Sequence, residues 1–96
     1  MSDVWHALSH PLRRQVLGLL RDRALSAGEI GARFDCTAAT LSGHLKVLRE
    51  AGLITVERDG TRRVHRLNLS VAEDALAGLL DLLRYEERPK GSEAEA

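Results

Sequence analysis

The 96-residue sequence predicts one mainly α-helical domain that carries a single small β-hairpin. Leucine-rich stretches repeat their apolar residues at helical spacing, whereas one short β-rich run, near residues 54–67, stands apart from them. Aromatic residues make up only 3% of the chain, so the core must be built mostly from Leu, Val and Ala. A hydrophobic content of 44% is ordinary for a folded protein of one domain, which argues against wholesale disorder.

The stretch from Thr37 to Leu53 is predicted to form the central helix. Thr37 is a favourable N-cap, and Gly52 suits the left-handed residue that follows a helix end. The apolar stripe of this helix is Leu41, Leu45 and Leu48. The opposite face is small or polar with one cation, and it comprises Ala39, Thr40, Gly43, Lys46 and Glu50, flanked by Ser42 and His44. Such a face can enter a DNA major groove, although a packed helix with a solvated face fits this stretch equally well.

Two helices are predicted before residue 23. The first covers Ser2 to Ser9 and is amphipathic. The second begins at Pro11, because proline is favoured at the first helical position and disfavours helical dihedrals in His10 before it. It runs to about Asp22. Its inward residues are expected to be Leu12, Val16, Leu19 and Leu20, and its outward residues Arg13, Arg14 and Arg21.

A third short helix is predicted directly before the central one. Ser26 and Glu29 have the spacing of a capping box, in which each side chain bonds the other residue's backbone N–H. The helix is expected to run to about Phe34 and to bury Ile30 and Phe34. Asp35 and Cys36 then form a tight turn, so the third and central helices make a helix-turn-helix.

The β-rich run predicts a hairpin after the central helix. Asp59-Gly60 between alternating residues is a strong turn signal, with strands over 54–58 and 61–68. The apolar residues of the hairpin are Ile54, Val56, Val64 and Leu67, and its cations are Arg58, Arg62, Arg63 and Arg66. A basic hairpin beside a helix-turn-helix is typical of a wing that reaches DNA phosphates or a minor groove. The alternative is a solvated hairpin whose charges protect its edges. With the terminal helix described next, this order defines a winged helix-turn-helix.

The last helix is predicted to begin at a second capping box, Ser70 to Glu73, and to end near Tyr85. Its apolar band is broader than docking on one small domain requires, and it comprises Ala72, Leu76, Leu79, Leu80, Leu82 and Leu83. We expect part of this band to meet a second copy of the chain, together with the first helix. The dimerisation residues expected on this basis are Val4, Trp5, Leu8, Leu76, Leu79, Leu80 and Leu83. Residues 1–85 would form the domain, and 86–96 a disordered polar tail.

Charge is distributed unevenly although the formal net charge is zero. Residues 1–68 hold 11 Lys and Arg against 7 Asp and Glu, which gives +4, and residues 69–96 hold 3 against 7, which gives −4. The basic part contains the candidate DNA-reading helix. The single cysteine, Cys36, allows no disulfide within the chain. With no signal-peptide pattern and no apolar run of membrane-spanning length, we expect a cytoplasmic protein without membrane contact.

The order of these elements resembles the ArsR family of bacterial winged-helix repressors over roughly residues 3 to 85. The Ala27–Ile30 stretch and the Leu79–Leu82 ending look most like the SdpR-type autorepressor branch, which lacks the founding members' metal sites. The segments that carry the resemblance are Val4–Arg14, Leu19–Leu20, Ser26–Ile30, Thr40–Leu48, Ala51–Ile54, Glu57–Gly60 and Leu67–Asn68.

The resemblance implies a homodimer, joined through its first and last helices, that binds an inverted-repeat operator on double-stranded DNA. It also implies repression of the protein's own gene, with release by a protein anti-repressor as one option. Gly43 departs from the larger polar side chain common in relatives, and His65 stands where an aromatic is frequent. The residues that match DNA-contacting positions are Thr37, Thr40, Ser42, His44 and Lys46 on the helix, and Arg58, Arg62 and Arg63 on the wing.

Neither metal sensing nor catalysis is predicted, and no cofactor is expected. The founding metal site of the family needs Cys-x-Cys near the third helix, where this chain reads Ala27 to Gly31 without a thiolate, and the terminal helix has no His. His6 and His10, with Asp3, remain an alternative metal-responsive site, and Cys36 is expected to be structural. No nucleophile–base set or phosphate loop indicates an enzyme. A winged-helix protein-interaction module remains the alternative from another class.

Overall fold

The structure, a computed structural model, describes residues 3–87 and has the helix and strand order that the sequence predicts. The described residues form five helices and one antiparallel hairpin, which follows the fourth helix and precedes the fifth along the chain. The elements are α1 (Val4–Ala7), α2 (Pro11–Leu19), α3 (Ala27–Gly31), α4 (Ala38–Glu50), β1 (Ile54–Asp59), β2 (Arg62–Leu67) and α5 (Leu69–Glu87). The mainly helical winged helix-turn-helix fold is therefore confirmed.

The core is aliphatic, as the low aromatic content predicts. Ile30, Leu48 and Leu53 are completely buried, and Phe34 is only half-buried at its edge. The α4 stripe predicted to face inward is buried in this cluster. The buried apolar residues of the cluster are Ala7, Val16, Leu20, Leu25, Ile30, Leu41, Leu45, Leu48, Leu53 and Ile54.

Local sequence signals set the ends of the helix-turn-helix. Ser26 Oγ accepts from the Glu29 N–H, and the Glu29 carboxylate accepts from the Ser26 N–H, so the predicted capping box is confirmed. Thr37 caps α4 as predicted by accepting from the Thr40 N–H. Gly52 has φ +81°, and the Leu53 N–H donates to the Leu48 carbonyl, which is the Schellman arrangement. These signals orient α4 against the core.

The hairpin forms with a turn one residue later than predicted. Asp59 pairs with Arg62, so Gly60 and Thr61 are the central turn residues rather than Asp59 and Gly60. Gly60 has φ +69°, which suits the first central position of a type II′ turn, where only glycine is comfortable. Leu25 and His65 exchange backbone hydrogen bonds at 3.1 and 2.7 Å, so the chain before α3 is attached to the β2 edge.

Several helix boundaries differ from the prediction. α1 spans Val4–Ala7 rather than Ser2 to Ser9, because the Asp3 side chain caps its start and an i to i+3 bond from the Ser9 N–H to the His6 carbonyl closes its end. α2 ends at Leu19 rather than Asp22, and α3 ends at Gly31 rather than Phe34, because tighter i to i+3 backbone bonds close both helices early. α5 begins at Leu69, so Ser70 lies inside its first turn and is not the N-cap. The cause is Asn68, whose N–H donates to the Leu53 carbonyl while its own carbonyl accepts from Ala72. Asn68 alone therefore connects β2 to α5.

Arg13, which the helical pattern predicts to face solvent, is instead buried, with 7% of its surface exposed. Its guanidinium donates to the Ala7 carbonyl at 2.8 Å and to the His6 carbonyl at 3.0 Å, at the end of α1. Arg14 and Arg21 are exposed as predicted. The carbonyls at the end of the short α1 explain the difference, since Ala7 ends the helix and a buried cation is stable where charge-assisted bonds replace water.

Only the first turns of α5 pack on the body of the domain. Val71 and Ala72 are half-buried against the core, whereas the leucines from Leu76 onward are exposed. The helix continues to Glu87, two residues into the predicted tail, and the rest of that tail lies outside the described residues. Across residues 3–87, no helix is both long and apolar enough to cross a membrane.

Candidate nucleic-acid interface

The outward face of α4 is small and polar. Thr40, Ser42, Gly43 and Lys46 are all exposed, and a Cβ added at Gly43 would meet no atom within 4 Å. Because Gly43 has no side chain, it cannot read a base, but it leaves room for close backbone approach. A face of this composition can enter a DNA major groove and donate or accept hydrogen bonds there.

Two of the predicted contact residues are already engaged with each other at the start of α4. The Thr37 hydroxyl accepts from the Thr40 N–H at 3.1 Å and donates to Thr40 Oγ1 at 3.0 Å. The Thr40 hydroxyl therefore keeps its own proton free to donate outward. This arrangement makes Thr40 the better placed of the pair for a phosphate or base acceptor.

His44 is half-buried and bonded to Arg13, a contact that the sequence does not predict. Arg13 Nη1 lies 3.1 Å from His44 Nδ1, and the His10 ring lies beside the His44 ring with centroids 4.5 Å apart. A guanidinium can only donate, so Nδ1 must accept and the ring proton must be on Nε2. His44 is thus a neutral imidazole that carries its ring proton on Nε2.

His44 makes the stability of the domain depend on pH. Burial, with the neighbouring His10 and Arg13, holds the pKa of His44 below its ordinary value of 6.5. The unfolded chain then binds more protons as pH falls through 6.5, so stability is full above that pH and is lost below it. We expect the free energy of unfolding, measured by urea titration, to fall between pH 7.5 and 5.5, and to fall less in His44→Gln. Identical pH profiles for the two proteins would contradict the assignment.

The wing arginines differ in how they are held. Arg62 Nη2 lies 2.6 Å from the Glu29 carboxylate, which ties the wing to α3, and both groups are exposed. Two neighbours, the Ser26 N–H first and then Arg62, lower the pKa of Glu29. Arg66 bonds both oxygens of Glu57. Arg58 and Arg63 are exposed and have no such partner among the described side chains, which leaves them available to phosphates.

The predicted dimerisation residues fall into two groups. Leu76, Leu79, Leu80 and Leu83 are 36–56% exposed along α5, and Trp5 on α1 is 51% exposed. Val4 and Leu8, by contrast, pack partly against the chain's own core. The exposed leucines recur at helical spacing and form an apolar stripe along α5, of a kind that is rarely left uncovered on a monomer.

The histidines that the sequence offers as an alternative metal site do not share a helix. α1 ends at Ala7, and His10 instead caps α2 by accepting from the Leu12 N–H at Nδ1. Within the described range, no group of three or more His, Cys, Asp or Glu side chains could hold a metal ion. Cys36 is a free, half-buried thiol in the turn before α4.

The fold and the exposed α4 face define a winged helix-turn-helix protein, and comparisons with known proteins agree. A helix-turn-helix domain family matches residues 8–57. The transcriptional repressor SdpR of Bacillus subtilis is 32% identical over 83 residues, covering 86% of this chain and 92% of that one. The chain belongs to the ArsR family of helix-turn-helix transcriptional regulators.

Solved structures support the same assignment. The crystal structure of an ArsR family transcriptional regulator superposes with a TM-score of 0.76 at 26% identity, covering 88% of this chain and 93% of that one. The homodimeric winged helix-turn-helix DNA-binding domain of a Mycobacterium bovis protein gives 0.67 at 29% identity, covering 90% and 79%. The first of these is named as a transcriptional regulator, and the Mycobacterium bovis protein as a possible one.

Proposed function

We propose that this protein is a dimeric, metal-independent repressor that binds an inverted-repeat operator, including one at its own gene. The observation that carries the proposal is the exposed face shared by α4 and the hairpin, where small polar groups lie beside unpaired arginines. Relatives that are named as repressors support repression rather than activation of transcription. Enzyme activity is not part of the proposal, and the expected location is the cytoplasm.

We assign affinity and sequence reading to different side chains. Arg58, Arg63 and Lys46 are exposed cations suited to phosphates, which set register and affinity. We assign the reading of base edges or nearby phosphates to Thr40, Ser42 and the Nε2–H of His44. Thr37 caps the start of α4 by accepting from the Thr40 N–H. Arg62 can contact DNA only if its ion pair with Glu29 breaks, or if its guanidinium bonds Glu29 and a phosphate at once.

A homodimer follows from the apolar stripe on α5. Its five leucines from Leu76 to Leu83 project beyond the body of the chain, and Trp5 adds a large exposed aromatic on α1. A second copy would cover this stripe, as in the homodimeric relative. Two-fold symmetry then sets the two α4 helices about one DNA turn apart, which predicts half-sites with the same spacing.

Arg58 tests the phosphate-contact assignment. We expect Arg58→Ala to weaken binding to operator and shuffled duplexes by the same factor, because a phosphate contact carries no sequence information. The slope of log affinity against log salt should become shallower by about 1. Fluorescence anisotropy across a salt series measures both, with Arg23→Ala as the control that removes an exposed arginine outside the expected DNA contacts. A loss on the operator alone, or an unchanged slope, would contradict the assignment.

The alternative of a protein-interaction module has less support. The exposed side chains between Thr37 and Arg66 are small, polar or cationic, and none is a large aromatic or apolar anchor of the kind that dominates protein interfaces. A protein anti-repressor remains part of the proposal as the releasing signal. It is suggested by the family resemblance and by the lack of a metal cluster in the described chain.

A further inference from the structure

A cleft of about 580 Å³ lies between α3, the first three turns of α4 and β2. Its apolar lining includes Gly31, Leu41 and Leu45, and its polar lining includes Arg49, Arg63 and His65. The volume is within the range of small-molecule sites, which are mostly apolar with a few placed polar groups.

Every charged side chain that lines this cleft is a cation. Arg49 and Arg63 are exposed, and neither has a carboxylate within ion-pair distance in the described part of the chain. Arg62 and Arg66 on the same strand, by contrast, are each paired with a glutamate. Two unpaired guanidiniums beside an apolar lining favour an anion, which they can bind with charge-assisted bonds.

His65 adds a neutral hydrogen-bonding group. Burial is the main cause that lowers the pKa of His65 below its ordinary value. The hydrogen bond to the Leu25 carbonyl opposes this shift, and the positive charges of Arg49 and Arg63 add to it. Its Nδ1 lies 3.3 Å from the Leu25 carbonyl, which can only accept, so Nδ1 carries the proton and Nε2 is left as an acceptor. An anion held near both arginines would stabilise the protonated ring and raise this pKa.

We propose that the cleft binds a small organic anion, a carboxylate with an apolar body, and that the bound anion excludes DNA. The exclusion follows because Thr37, Ser42 and Arg63 line the cleft and also belong to the expected DNA contacts. This second half rests on the proposed DNA-binding function, whereas the binding of the anion does not.

An NMR titration of the full chain tests the site without DNA. Benzoate is the probe, and benzyl alcohol is the control that keeps the ring and removes the charge. We expect benzoate to shift the Gly28 and Gly31 amides saturably and to raise the pKa of His65, and benzyl alcohol to do neither. Equal shifts from both compounds, or shifts confined to α5, would overturn the proposal.

Variants locate the site. Arg49→Gln should weaken benzoate binding about tenfold or more, because it removes one of the two cations, while Arg23→Gln should leave it unchanged. Gly28→Leu should also abolish binding by filling the cleft, since a Cβ at Gly28 has no neighbour closer than Ser26 Oγ at 3.9 Å. Benzoate binding that survives both Arg49→Gln and Gly28→Leu would overturn the assignment.

A second experiment tests whether bound benzoate excludes DNA. At constant ionic strength, benzoate at about ten times its wild-type dissociation constant, in place of chloride, should lower operator affinity about tenfold in the wild type and by only about twofold in Arg49→Gln. Benzoate binding without any loss of operator affinity would overturn the exclusion. A chain that binds benzoate but no duplex at all would instead overturn the proposed DNA-binding function, and the anion site would stand on the NMR result.

Discussion

Replacing Arg13 by Met is expected to lower the free energy of unfolding by about 2–4 kcal/mol. Arg13 is 7% exposed and donates to three acceptors, namely the carbonyls of Ala7 and His6 and the Nδ1 of His44. Methionine fills much of the same space but removes the guanidinium donor to the buried Ala7 carbonyl and breaks the bonds to His6 and His44. A buried acceptor left without a donor costs more than the bond itself contributes. Urea unfolding at one fixed protein concentration measures the change.

The neighbouring arginine provides the matched control. Arg14 is exposed and donates to a single carbonyl, that of Leu8, so Arg14→Met should change stability by only about 0.5 kcal/mol. Arg13→Lys should fall between the two, because it keeps the charge but cannot present a planar fork to three acceptors. Equal losses for Arg13→Met and Arg14→Met would contradict the view that Arg13 joins α1 to α4.

The double substitution Leu76→Glu and Leu83→Glu is expected to convert the dimer to monomers. Both leucines lie on the exposed stripe of α5, at 56% and 48% exposure, so the change replaces apolar contact by like charge across a symmetric interface. The dimer dissociation constant should rise more than about 100-fold. Operator affinity should fall by about 10²–10⁴, because the second half-site is no longer tethered to the first.

Sedimentation equilibrium and operator titration measure the two effects separately. Ala77→Glu is the control, since it adds a carboxylate to an exposed position on another face of α5. It should change neither quantity by more than a few-fold. A double variant that stays dimeric, or that loses its fold by circular dichroism while Ala77→Glu keeps it, would contradict the assignment of this stripe to a dimer interface.

Features that depend on neighbouring residues are predictable from the sequence. Pro11, the Ser26–Glu29 box, Thr37 and Gly52 each act within a few residues, and each has the predicted role in the structure. Even the misplaced turn comes from the correct glycine, because Gly60 supplies the positive φ that a tight hairpin requires. Helix ends are less predictable, since closing bonds to carbonyls outside the periodic pattern decide them.

Features that depend on distant residues are not predictable in this way. Arg13 meets His44 across 31 residues, Arg62 meets Glu29 across 33, and His65 meets Leu25 across 40. The spacing of apolar residues along the sequence does not predict such pairs, and an arginine on a helix is usually solvated. Among the residues predicted to contact DNA, Thr40, Ser42 and Lys46 are exposed on α4 and Arg58 and Arg63 are exposed on the hairpin, whereas His44 is half-buried on the flank of α4 that meets Arg13. Their role at DNA stays a prediction.

The central claim, a dimeric and metal-independent repressor, is tested most directly by fluorescence anisotropy of the full chain on a duplex from upstream of its own gene. A shuffled duplex is the control, and a salt series with and without zinc completes the design. The account predicts tight binding to the upstream duplex alone, a log affinity that falls linearly with log salt, and no effect of zinc. Equal weak binding to both duplexes, or release by zinc, would contradict it.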